Sequence, residues 1–428
     1  MTEQEIAALG PAFATYLRRF RGCFGQDRTA RHFDTYCRGL LSDLPRKSVE
    51  PIALAAGSAV RTLQEFLAAA RWDHGAARDT LQGHLRAAVA GLPADPLGTI
   101  GVIDETSSRK WGDRTPGVQR QYLGCVGKVD NGIVTVHLGV ARGTFQALLD
   151  ADLYLPQGWS ADRPRCRAAG IPDGVRHRPK WRLAVDQWLR ATGNGVSFDW
   201  LVFDEGYGAA VPFLRLLNLA GQRFVGEVPI NFTIRDVAGG SPRRADARLT
   251  AEDARGGRRH RVAHRTVRAS FWRAASAAVW VADREHTLVA VINEATGEVK
   301  YFLTNATAAP LARVLAVAFR RWTVEHAFRL GKQEAGLMDY EGRSYTGLIR
   351  HLMLALVVLG FVATHTERLR GEKPGGNRRA GVPSAEPAVR GGVPPPAGCF
   401  RAQAHQRCPP VSPAAERPGR QISQEAAA

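Results

Sequence analysis

Up to about residue 95, apolar positions recur three and four apart; beyond it they gather into short runs of strand length. The segments "EIAALGPAFATYLRRFRGCF", "DRTARHFDTYCRGLLSDL", "GSAVRTLQEFLAAARW" and "DHGAARDTLQGHLRAAVAGL" carry the first spacing and predict helices. "LPADPLG" (92–98) then marks a boundary with two prolines and a glycine. "TIGVID" predicts a first strand ending on Asp104. "QRQYLGCVGKV" and "GIVTVHLGVA" predict two more, with "DNG" as their hairpin turn. A helix over 180–193, a strand "FDWLVFDEG" (198–206), a helix "AAVPFLRLLNLAG" and a strand over 223–234 follow. A basic segment (239–268) interrupts, and "SAAVWVAD", "TLVAVIN" and "EVKYFLTN" resume the strands before helices from about 310 to 370.

The pattern predicts a helical part over 1–95, a core over 96–235 and a β-rich insertion over 236–308. A helical return follows over 309–370. From 371 the chain holds 10 of its 24 prolines and neither Leu nor Trp, so it reads as a disordered tail. A displaced reading frame and a native basic tail both account for that abrupt change. "HLMLALVVLGFVATH" (351–365) is shorter than a membrane span and reads as a buried core helix.

Charge changes the picture. With 58 Lys+Arg against 40 Asp+Glu, the net charge of +18 favours a polyanionic partner, nucleic acid first. The first residues show no secretory pattern, and the six scattered cysteines form no C-x-x-C pair, which fits reduced thiols in a cytoplasm.

Two apolar runs close on acid pairs, Asp104–Glu105 and Asp204–Glu205. A desolvated acid at the end of a central strand is costly unless a cation or hydrogen bonds offset it. Strand, hairpin, strand, helix and a second acid-tipped strand is the order of an RNase H-like mixed sheet. In that α/β arrangement Asp104 and Asp204 sit at the ends of adjacent strands, and a third acid comes from a later helix. "FRRWTVEHAFRLGKQEAGLMDYEGRSY" (319–345) supplies Glu325, with Arg321, Arg329 and Lys332 on one helix face. A solvated face with internal salt bridges has the same spacing. Three such carboxylates suit two hard divalent ions, Mg or Mn.

"RRWTVEHAFRLGK" resembles the signature of insertion-sequence DDE transposases, written Y-x-x-R-x-x-x-E-x-x-x-x-x-x-K. Arg321, Glu325 and Lys332 fall on it; Ala318 stands where the tyrosine would be. "DETSSRKWGDRTPGVQRQYLGCVGKVDNG" resembles the first-acid block and "WLVFDEGYG" the second, and "FLAAARWDH" (66–74) adds to the likeness. Together they point to the insertion-sequence family numbered seven hundred and one. The resemblance implies catalytic, metal-binding Asp104, Asp204 and Glu325, and DNA contacts from Arg321, Lys332, Arg329 and Trp322. It implies metal-dependent cutting of duplex DNA at terminal inverted repeats and strand transfer of the 3′-hydroxyl into target DNA. It also implies a DNA-binding helical N-terminal region, a homodimer on DNA, a bacterial nucleoid-associated setting in the cytoplasm and no membrane. A decayed transposase that only binds DNA, and a metal-dependent nuclease on the same fold, are the alternatives.

The span 325 − 204 = 121 residues leaves room for the β insertion, where Trp272 and Trp280 lie. Each is a core tryptophan or a platform for a flipped base. Ser107 and Ser108 lack G-x-S-x-G, "GCVGK" is no Walker A loop, and the histidines show no metal spacing.

Overall fold

The computed structural model describes residues 3–262 and 269–372. Among the described residues twelve strands follow one another: β1 Ile100–Arg109, β2 Gln119–Leu123, β3 Lys128–Arg142, β4 Phe145–Leu153, β5 Trp200–Phe203 and β6 Phe224–Val228. After them come β7 Thr233–Ile234, β8 Arg243–Arg244, β9 Arg258–Val262, β10 Ser270–Val281, β11 Arg284–Asn293 and β12 Val299–Thr304. Ten form one mixed sheet in the order β2-β3-β1-β5-β6-β12-β11-β10-β9, with β4 on β3; β7 and β8 pair separately. The β1-β5-β6 centre is parallel and its flanks are antiparallel. This is the RNase H-like mixed sheet. The strands of the expected insertion extend it through β12 on β6.

Among the described residues five α-helices precede the sheet: Glu3–Leu17, Asp27–Leu41, Val49–Ala55, Val60–Ala68 and His74–Ala90. The Val49–Ala55 helix escapes the sequence reading because it is a single seven-residue segment opening on Val-Glu-Pro. Several of these helices and β4 surround Tyr345–Glu372, a 28-residue helix longer than its apolar core suggests. By length and composition it could cross a membrane, but 78% of its most apolar stretch is buried inside the protein. Burial of Leu352, Leu354, Leu356 and Val358 makes it the post around which the N-terminal helices pack. The tail expected from 371 gives its first two residues to this helix; the rest of it lies outside the described residues, and so does the end of the basic segment at 263–268.

One expected turn moves. "DNG" lies inside β3, and the β2–β3 reversal falls at Gly124–Gly127, where Gly127 takes φ +67. The Asn131 side chain is diverted: its amide donates to the Lys110 and Gly112 carbonyls at 2.7 and 2.9 Å. Gly132 lets β3 close on β1, since a Cβ there would meet the Ser108 carbonyl oxygen at 2.4 Å. Strand β1 does not stop at Asp104 either. It runs on to Arg109 because β3 keeps pairing with it after β5 has ended.

Candidate active site

Parallel pairing aligns the first two acids. Val102 faces Val202 in the β1–β5 register, so two residues further on Asp104 stands beside Asp204. Phe203 faces Gly226 in the β5–β6 register, so the next step sets Asp204 beside Glu227. Three carboxylates therefore cross the carboxyl ends of three parallel strands, where open α/β sheets place their ligand sites. Glu227 was not among the sequence candidates.

Asp104 is 8% exposed. Its Oδ1 accepts from the Glu105 amide at 2.7 Å and its Oδ2 from Arg321 Nη1 at 3.0 Å. Burial pushes its pKa up to about 7; the Arg321 guanidinium opposes that, and the negative charge of Asp204 adds to it. Asp204 is the N-cap of a short helix, Glu205–Gly208, and its Oδ1 accepts from the Gly206 and Tyr207 amides at 3.0 and 3.4 Å. Those bonds leave Oδ2 for a ligand. The neighbouring acids turn elsewhere. Glu105 pairs with Lys180 at 2.8 Å, and Glu205 is exposed.

Arg321 is the hub. It closes a 3₁₀ turn, Phe319–Arg321, and caps the helix Trp322–Glu334. Its guanidinium lies 3.7 Å from Glu227 and 4.0 Å from Glu325. Burial works against its charge, but Asp104, Glu227, Asp204 and Glu325 outweigh burial and hold its pKa above the ordinary value. Lys300 pairs with Glu227 from the other side at 2.8 Å. Glu325 is the outermost member, its side chain 63% exposed.

The other candidates divide. Lys332 is half-buried, and burial pushes its amine below the usual lysine pKa; it has no carboxylate partner among the described residues. Arg329 is exposed and bonds to His326 Nδ1 at 2.8 Å. Trp322 is half-buried, its ring 4.9 Å from Phe319. Trp272 is 1% exposed, packs on Phe319 and donates to Ser270 Oγ, so it is a core residue. Trp280 is 43% exposed on β10. Ala318 is buried at the end of Leu311–Ala318.

Among the described residues, no group of three or more His, Cys, Asp and Glu side chains comes together to hold an ion. The donor chemistry still suits a hard cation: the acids present only oxygens, and Asp204 Oδ2 is uncommitted. The Tyr207 hydroxyl, buried without a hydrogen-bond partner, lies in the field of Glu105, Asp204 and Asp104. An orphaned hydroxyl in the field of carboxylates is what a hydrated cation would satisfy.

An acid row on an RNase H-like sheet, answered by an arginine and a glutamate from a later helix, defines a DDE-type nuclease class. Residues 19–289 match the DDE superfamily endonuclease family, and the chain belongs to it. That match holds Asp104, Asp204 and Glu227 and stops before Arg321 and Glu325. The chain is also 32% identical over 220 residues to a probable transposase for insertion sequence element IS701 from Microchaete diplosiphon. The alignment covers 50% of this chain and 53% of that relative, so the chain spans about half the length of the curated relative it matches.

Proposed function

We propose that this chain is an insertion-sequence transposase that cuts DNA at its element's ends and joins the freed 3′-hydroxyl to target DNA. The observation that carries this is the register-aligned pair Asp104 and Asp204 with Arg321 and Glu325 set against it. Divalent cations, Mg or Mn, held by Asp104, Asp204 and Glu325 would stabilise charge on the non-bridging oxygens of the scissile phosphate.

The chain's own residues do the rest. Arg321 balances the buried acids and can fork onto a phosphate. Lys332 brings a point charge with no competing carboxylate among the described residues. Asp204's helix-capping bonds fix the direction of its free oxygen. The reaction is two in-line displacements: water breaks a phosphodiester and releases a 3′-hydroxyl, which then displaces a target 3′-oxygen. Neither needs a covalent protein–DNA bond, and Ser107 and Ser108 lie in β1 without a nucleophile elbow. The excess of +18 suits binding to duplex ends, with two copies of the chain bringing two ends together.

The test is Asp204→Asn against duplexes carrying the element's own ends. The parent should cleave and join in the presence of Mg, and the variant should bind those ends but do neither. Full cleavage by the variant defeats the assignment. Cleavage without joining by the parent leaves a nuclease.

A further inference from the structure

Two arms leave the acids and meet again at a groove. Strand β1 carries the chain from Asp104 to Ser108, about 13 Å at strand rise. The Trp322–Glu334 helix carries it a similar distance from Glu325, about 13 Å at helical rise. Beyond their ends the loops 109–115 and 338–343, with Arg46, enclose an open groove of about 700 Å³. Its floor is latched: Lys110 Nζ donates to the Met338 and Tyr340 carbonyls at 3.4 and 2.6 Å.

The lining is cationic and carries an unusual ring. Arg46, Arg109, Lys110, Arg114 and Arg343 face three acids, Asp113, Asp339 and Glu341. Arg114 and Arg343 are exposed and have no acidic partner among the described residues. Trp111 is 85% exposed, and the Arg109 guanidinium lies 4.1 Å from its ring centroid. Arg109 is itself held by Asp130 at 3.0 Å, so one face of the indole is braced and its remaining surface is open to solvent. A large ring left in water wastes apolar area unless something stacks on it.

We propose that this groove binds the DNA flanking the scissile phosphate, with Trp111 stacking on an unpaired base and Arg114 and Arg343 holding its phosphates. This rests on the DNA chemistry proposed above and adds a recognition element to it. Base–aromatic stacking tolerates any sequence, since every base has a π-face, and arginines beside it supply the backbone charge. The groove lies one short strand length from Asp104, close enough to hold the nucleotides next to a cut. A frayed or single-stranded segment fits here better than a closed duplex, whose interior bases offer no free face.

The experiment uses the full chain with a chelator present, so that binding is read without cleavage. Probes are a blunt duplex and the same duplex with a short single-stranded overhang carrying 2-aminopurine. The parent should bind both, prefer the overhang and quench the reporter. Trp111→Ala should lose about tenfold on the overhang probe, lose the quenching, and match the parent on the blunt duplex. Trp111→Phe should restore most of both. Arg114→Ala and Arg343→Ala should each flatten the salt dependence by about one phosphate contact. Equal affinity and equal quenching by the parent and Trp111→Ala overturn the stacking site and leave the transposase reading standing. A parent that binds neither probe sinks both.

Discussion

Arg321 donates to Asp104 across 3.0 Å, and the same guanidinium reaches Glu227 and Glu325. It is the cation that an acid in the middle of a buried strand requires. It compensates only in part, because Asp104 still titrates near 7 instead of 3.8. Between those values the folded protein keeps a proton that the unfolded chain has released. Stability therefore falls as pH rises from 3.8 to about 7, and the full penalty stands above that range. The chelator-treated Asp104→Asn variant should melt several degrees above the parent on the alkaline side of this window. The gap should close toward the acid side, where both side chains are neutral. Melting curves across the range read it directly; a gap independent of pH would count against the buried, raised carboxyl.

Glu227 meets Arg321 at 3.7 Å and makes a second pair within the sheet, with Lys300 on β12. The side chains are 12% and 17% exposed, so solvent screens this bridge little. Removing one partner of a buried pair costs more than the pair itself contributes, and loss of Glu227 would leave Lys300 only the more exposed Glu298, 3.4 Å away. Glu227→Ala should lose roughly 3 kcal/mol in urea unfolding, and adding Lys300→Met should recover much of it. Additive losses in the double variant would show that the pair is not coupled.

How much of this was legible in the sequence differs from element to element. The Lys180–Gly193 helix falls where its apolar spacing put it, and Asp104 and Asp204 emerged as acids closing apolar runs. Glu227 carries the same signal in "RFVGEV", but the apolar residues after it made the strand read on to residue 234. Its importance comes from register, which a single strand's pattern does not contain. "DNG" predicted a turn by composition. Tertiary contacts won, because Asn131's side chain is used up by the Lys110 and Gly112 carbonyls and Gly132 by close packing on β1. Trp272 read first as a core tryptophan, with stacking on DNA as the rival role, and its packing on Phe319 agrees with the core. The spacing of Arg321, Glu325 and Lys332 predicted one helix face. Arg321 and Lys332 are held in the protein while Glu325 between them faces solvent, a difference that spacing alone does not contain.

Lys332 separates stability from function. Burial pushes its amine below the ordinary lysine value, and no carboxylate among the described residues compensates. A folded protein that disfavours the charged form gains when that charge is removed, most at pH values where a free lysine is protonated. Lys332→Met should therefore leave unfolding free energy unchanged or slightly raised near neutral pH. The same substitution should weaken binding to duplex ends and reduce the salt slope by about one contact, because a cation waiting for phosphate is gone. A lysine kept for packing alone would give the reverse pattern, lower stability with unaltered binding curves. Paired urea titrations and salt-dependent binding isotherms on the same preparation distinguish the two outcomes.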